Sequence, residues 1–568
     1  MNEEQSVASR EETLLDAAQD AGLLGKAAIY TRLSGPGWLQ GAITLGGGSL
    51  AGALYLGVLM GTEMMWLQPL AMILGVIMLS AISYVTLSTG ERPFQTIKTQ
   101  ISPVLAWGWL IATMMANIVW CLPQFALGTG AVQQNLVPAL NNETGTYIVA
   151  ITLLIVASVV VWFYNSGSKG IKLFELILKA MVGVVVLSFF GVVIALTSQG
   201  AVDWGQIFAG LVPDFGYLFK PVPALAEEIA KTGDYSDWWT GKVAGMQKNV
   251  IIAAFATAVG INMTFLLPYS MLRKGWGLKQ RGLAIFDLSI GLIVPFVLAT
   301  SCVVIAAASQ FHGSAADVVA KLEDPEQQGA AEVKAYYDYL DDRIAVADPE
   351  LERGEKGSPE HVALCAKLPQ ADRNIAAMLV KRDNNALAGT LQPLVGSTVA
   401  QTVFGVGVLG MAVSTIIILM LINGFAFCEL LNVPAEGTMH RIGSFIPAVG
   451  VLGPFIWKSA APALAVPTSV IGGAMLPIAY VSFLLLMNSR SVLGDAMPTG
   501  GRRLVWNILM ITGTGIASFA SVWGLYGRTW GPFKIGTEKL VIPIGTIALA
   551  TLAIMLAVGI FSFLRKQR

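Results

Sequence analysis

Charge is what this sequence has least of. Only 13% of its 568 residues are Asp, Glu, Lys or Arg, where a soluble domain carries about 25%, and 55% are hydrophobic. A water-soluble domain is excluded, which leaves a polytopic helical membrane protein. Its four cysteines, Cys121, Cys302, Cys365 and Cys428, are scattered without CxxC spacing, so neither a disulfide framework nor a thiolate metal site is indicated. The three histidines, His312, His361 and His440, all fall in expected loops. That removes intramembrane histidine as a proton relay or metal ligand. No P-loop, HExxH or GxSxG element occurs, which disfavours both a primary pump and an enzyme. The first 35 residues are polar and include Glu11, Glu12, Asp16 and Asp20, unlike a cleavable signal peptide.

Long apolar runs are what the chain does have. Those long enough to cross a bilayer, about 18 residues or more, lie near 36–60, 64–88, 103–136, 147–165, 171–197, 249–272, 283–310, 392–428, 442–458, 463–488, 504–526 and 540–564. They are called spans 1 to 12 below. The resulting organisation is a tail at 1–35, spans 1–7 over 36–310, an insertion at 311–390, spans 8–12 over 391–564 and a short tail at 565–568. Lys and Arg in the termini and in the short loops on their side number about 18, against about 8 in the opposite short loops. The positive-inside rule then predicts that both termini are cytoplasmic, in a cell (inner or plasma) membrane.

Two spans are interrupted. Leu45-Gly46-Gly47-Gly48-Ser49 sits in the middle of span 1, and Gly260-Ile261-Asn262-Met263-Thr264 in span 6, with Pro268 further on. Each glycine costs a helix interior about 1 kcal/mol against alanine. Broken backbone at membrane depth is tolerated where it lines a cavity, and secondary transporters build substrate sites from it. Close packing of neighbouring helices is the simpler explanation for a lone glycine, but it accounts poorly for a triplet matched by a second break.

Between 311 and 390 the chain turns polar, with about 15 acidic against 9 basic residues. Helical periodicity at 330–342 and 374–381 predicts a small helical cap. Its net charge of about −6 reads either as an acidic vestibule that concentrates cations or as the solvated face of a loop insertion.

Several local patterns, taken together and in order, resemble the Nramp-type divalent-metal transporters. They are Gly35-Pro36-Gly37-Trp38 before the first break, Ser88-Thr89-Gly90-Glu91-Arg92 after span 2, Gly170-Ile171-Lys172-Leu173-Phe174-Glu175 entering span 5, Gly210-Leu211-Val212-Pro213 beyond it, Phe404 to Thr415 in span 8, and Met475-Leu476-Pro477 to Arg490 in span 10. The resemblance implies the LeuT-like architecture: two inverted repeats of five helices, with spans 1 and 6 broken at the centre. It also implies a metal cation as substrate in a lipid bilayer, with no cofactor and no nucleic-acid partner.

The site residues depart from that family. Its Asp-Pro-Gly-Asn motif falls on Gly46, Gly47, Gly48 and Ser49; its span-6 methionine falls near Asn262, with Met263 next, and a histidine on Tyr269. Ile118 to Gly130 in span 3 holds no acidic residue. Substrate binding is therefore expected from Leu45, Gly46, Gly47, Gly48, Ser49, Gly260, Ile261, Asn262, Met263 and Thr264, with Ser49 and Asn262 nearest a metal and Gln124 behind them. Without a carboxylate, a bare divalent ion is hard to hold. A largely hydrated ion, such as magnesium, is one solution. The other reverses the sign: amides at the break hold the carboxylate of an organic solute, with Ser414 and Thr415 binding a coupling sodium ion. Ser-Thr pairs in membrane helices more often bond their own backbone. A transport-dead sensor on the same scaffold is a third reading. Asp287, the acidic residue placed well inside a span, is a functional candidate or the partner of Arg281. Lys172, Glu175 and Lys179 read as one ion-paired face, and Trp204, Phe208 and Leu211 as an interfacial amphipathic segment.

Overall fold

In the computed structural model the chain is described over residues 3–164, 193–327, 329–382, 384–389, 396–435, 437–456, 468–535 and 538–567, with a few positions between 180 and 191. Ten helical segments in these residues are long and apolar enough to cross a membrane, and the bent pair Pro36–Thr44 and Gly47–Met60 makes an eleventh. The expected span at 171–197, with the Lys172, Glu175 and Lys179 face, lies largely outside the described residues.

Span 1 starts with proline at its first helical position, where a missing N–H costs nothing. It stops at Thr44, turns through Leu45 and Gly46, and resumes at Gly47 bent by 50°. Span 6 is helical from Ser236 to Ala258, passes through extended Val259 and Gly260, and continues as Ile261–Arg273. The two interruptions found in the sequence are thus real breaks in helix. Span 8, Ser397–Leu431, has 35 residues. At 1.5 Å per residue it is about 52 Å long, so it protrudes beyond a bilayer core of about 30 Å.

Buried side chains form two cores. One packs spans 2, 3, 6 and 10 against the first half of span 1. The other packs the second half of span 1 and the first half of span 6 against the insertion. The insertion is a helical cap, as its periodicity predicts, built mainly on Ala331–Ala347 and Gln370–Leu379. Buried Arg343 donates to Asp372 at 2.8 Å, and Trp239 at the start of span 6 donates to the same carboxylate at 2.6 Å, so the cap is hydrogen-bonded to the membrane domain. Both chain ends lie on the opposite face. Lys274 after span 6 donates to Leu33 O at 2.9 Å, and Lys566 in the tail donates to Thr99 O at 2.6 Å after span 2.

The last span, Ile544–Gln567, leaves Ile547, Ile554, Phe561 and Leu564 exposed, a surface suited to lipid. A short antiparallel hairpin, Trp530–Ile535 with Glu538–Ile542, joins it to span 11.

Candidate functional site

The two breaks are sewn together by hydroxyls and one sulfur. Ser49 Oγ donates to Thr44 O across its own break at 2.5 Å and reaches Thr257 O of span 6 at 3.4 Å. Thr44 Oγ1 lies 3.3 Å from Ala258 O and 3.2 Å from Met263 Sδ. Gly260 N–H points at the same sulfur, at 3.4 Å. Every polar atom at these crossings is neutral.

Between the breaks lies a cavity of about 50 Å³, room for about three or four waters. Gly46, Gly48, Ser49, Gly260, Asn262 and Met263 line it, with Gln124 of span 3 and Thr415 of span 8. The first turn of the second half of span 1 starts here, so its N–H groups have no helical acceptor and supply partial positive charge. Against them, Gln124 presents an amide oxygen that is buried and has no hydrogen-bond partner. Among the described residues that line it there is no carboxylate, histidine or cation.

Not every expected residue faces the cavity. Leu45, Gly47, Ile261, Thr264 and Ser414 do not line it. Thr264 Oγ1 donates to Ile261 O at 2.5 Å and accepts from Trp109 Nε1 at 2.9 Å, so the polar groups of these two expected substrate-binding residues bond each other. Asn262 Oδ1 accepts from the adjacent Met263 N–H at 2.9 Å, so its oxygen is engaged within the first turn of the second half of span 6. Ser414 and Thr415 both donate to Met411 O, at 2.9 and 2.8 Å. That is the backbone-bonded state of the pair, with Thr415 Oγ1 beside Gly46. Thr468 and Ser469, at the start of span 10, also line the cavity, as do Trp120 and Thr257. The sequence reading missed these four. Pro467-Thr468-Ser469 is a second hydroxyl pair entering a span, and that was the available signal.

Toward the face of the termini the space below the cavity is filled by rings. Trp109 and Phe265 centroids are 4.7 Å apart, Phe265 and Tyr269 stack at 4.8 Å, Tyr269 and Phe425 at 5.7 Å, and Phe425 meets His440 at 4.6 Å. His440 is therefore not in a loop as expected. It is buried on the helix Gly437–Ser444, which opens the apolar segment Gly437–Ile456, so span 9 begins earlier than the sequence suggests and includes this histidine.

Asp287 does not pair with Arg281, one of the two roles expected of it. Its carboxylate accepts from Gly37 N–H at 2.6 Å and Gly35 N–H at 3.1 Å, capping span 1 from a residue 250 positions away. Arg281 instead donates to Ser88 Oγ at 3.2 Å and stacks on Tyr84.

A second polar cluster lies in the cap. His361 Nε2 is 2.9 Å from Asp341 Oδ1 and 3.7 Å from Cys365 Sγ. Gly357 N–H donates to Nδ1 at 3.2 Å, which puts the neutral ring's proton on Nε2 and directs it to Asp341. A metal-bound imidazole needs the reverse, an N–H on the nitrogen away from the metal. The trio is accordingly a hydrogen-bonded link within the cap.

No curated protein matches the chain. Among solved structures, a manganese transporter from Eremococcus coleocola in complex with an aromatic bis-isothiourea substituted compound is 13% identical, with 94% of each chain covered and a TM-score of 0.55. Two mutants of that transporter are 15% identical, covering 95% of this chain and 96% of theirs, also at 0.55. At these identities the likeness establishes fold. The model of the natural resistance-associated macrophage protein-like family matches residues 37–328 and 374–526, and the chain belongs to the Nramp family.

Proposed function

We propose that this protein is a secondary transporter that moves a divalent metal cation across a cell membrane, by alternating access around the breaks of spans 1 and 6. Both termini then lie in the cytoplasm, on the side where Lys and Arg crowd the short loops. The observation that carries the reading is the meeting of two broken spans at a small cavity of neutral oxygen groups, in a chain of this family.

The chemistry of the lining narrows the ion. Manganese and iron gain from a soft sulfur donor, but Met263 Sδ already contacts Thr44 Oγ1 and Gly260 N–H. Magnesium gives up its waters reluctantly and is usually held through them. Ser49, Gln124, Asn262 and Thr415 would then bind waters of a partly hydrated ion. The aromatic stack below would separate it from the cytoplasm until span 6 moves.

The test is ion uptake into proteoliposomes, magnesium and manganese separately, with internal pH followed. Saturable magnesium flux without acidification, lowered several-fold by Ser49→Ala and by Asn262→Ala, is the expected result. Manganese flux with proton movement would refute the hydrated-ion assignment. A second reading is favoured by the free amides at the start of the second half of span 1: a sodium-coupled carrier of a small organic carboxylate. Sodium-dependent uptake of such a solute, with no metal flux, would establish it instead.

A further inference from the structure

The second half of span 1 ends on the cap side at Met60, and the turn that follows carries Glu63. Span 7 ends beside it, with Phe311 as its last helical residue and His312 at its C-cap. Gly61 lies between the two side chains with a φ of 58°, a conformation that favours glycine. A Cβ there would stand 2.6 Å from Glu63 Oε2 and 2.8 Å from His312 Nε2. Both atoms therefore face the space that the glycine leaves open.

Their protonation follows from their partners. His312 Nδ1 lies 3.1 Å from Val58 O. A carbonyl only accepts, so Nδ1 carries the hydrogen, and in the neutral ring Nε2 presents a bare lone pair. That nitrogen is buried and, among the described residues, has no hydrogen-bond partner; Glu63 Oε2 is buried and unpartnered in the same way. Two acceptors facing one space cannot satisfy each other, and each left unmet costs about 1–3 kcal/mol. The surroundings add negative charge. Burial, then Asp214, then Glu63 push the Tyr217 phenol up from its ordinary value, so both carboxylates act at this place. Lys220 Nζ covers the Tyr217 ring, 5.2 Å from its centre.

His312 is the converse of His361 in the cap. There a backbone N–H occupies Nδ1 and the proton stays on Nε2. Here a backbone carbonyl holds the Nδ1 proton and leaves Nε2 free as a ligand, the arrangement of metal-bound imidazoles. An imidazole beside a carboxylate suits zinc and its neighbours in the transition series, whereas magnesium prefers oxygen alone. We infer that Glu63 and His312 bind a divalent transition-metal ion of the zinc type at the cap-side end of span 1, with water completing its coordination. Both residues are half-buried, so the ion reaches the site from solution. Once bound, it ties the end of span 1 to the end of span 7. Neither residue lines the central cavity, so the inference does not rest on metal transport.

The test is calorimetric titration of the untagged full-length protein in detergent with zinc chloride, then with magnesium chloride. Saturable zinc binding is expected. Glu63→Gln and His312→Gln should each weaken it by at least the factor that loss of a mere outer partner costs, about 10–100-fold. His361→Gln and Ser49→Ala should leave it unchanged, which separates the site from the polar trio of the cap and from the central cavity; thermal melting establishes that each variant is folded. Magnesium should not compete. No zinc binding, or zinc binding that Glu63→Gln and His312→Gln leave intact in folded protein, would overturn the inference, as would equal competition by magnesium. So would a His312-dependent rise in melting temperature at about pH 5.5 without zinc binding, since the pair would then share a proton. Absence of magnesium flux with zinc binding intact would count against the proposed function alone.

Discussion

Gln124 carries a buried amide oxygen without a hydrogen-bond partner, facing the break in span 1. An unmet buried acceptor costs about 1–3 kcal/mol, so folding alone gives no reason to retain it. Gln124→Leu is expected to leave the melting temperature unchanged or raise it, while lowering magnesium flux at least tenfold; a melt and an uptake assay on the same preparation separate the two effects. Lys381 makes a prediction with pH. Tyr55 of span 1 lies against it, and Lys242 of span 6, Tyr339 of the cap and Arg528 of the turn after span 11 line one cavity with it. Its folded value, about 8, lies below the unfolded one, so its charge destabilises the native state below pH 8, and that cost disappears as pH rises toward 10.5. Lys381→Met should therefore stabilise the protein at pH 7, by about 2 kcal/mol after allowance for partial exposure. The gain should shrink as the melt is repeated at pH 9 and above. Nothing in the composition marked this lysine, because its environment is assembled from parts of the chain up to hundreds of residues apart.

At the scale of the element, the first half of span 1 is short, nine residues, and is held at both ends by other spans. Asp287 caps its start. Gly41 in its middle is packed so closely on the backbone of Gly291 in span 7 that a methyl group there would overlap Gly291 O. Asp287→Ala should lower stability by about 1–2 kcal/mol through loss of the cap, seen as a lower melting temperature. It should also perturb transport, since the half-helix loses its anchor to span 7. Gly41→Ala should force the two helices apart at a cost of about 1–3 kcal/mol. The breaks themselves were legible from glycine and proline placement, because a helix-breaking residue acts locally. The Asp287 cap was not: its donors are backbone N–H groups on another span, which no pattern of side chains announces.

For the whole molecule, the cap and the membrane domain behave as one packed unit on the side away from the termini. Arg343, Asp372 and Trp239 share a buried hydrogen-bonded link across that junction. Replacing Arg343 with Met leaves a buried carboxylate without its cation, a loss of about 3–5 kcal/mol. The expected outcome is faster tryptic cleavage within the cap at a temperature where the wild type is resistant. The sequence by itself determined the class, the order of the spans, the two central breaks and the helical cap, since scarcity of charge, length of apolar runs and glycine placement are properties of contiguous residues. The tertiary structure alone decided which hydroxyls and amides face the cavity, which are spent on backbone carbonyls, and where Lys242, Lys381 and Arg528 converge. Those outcomes depend on rotation about helix axes and on contacts between distant spans, and neither is encoded in any single stretch of the chain.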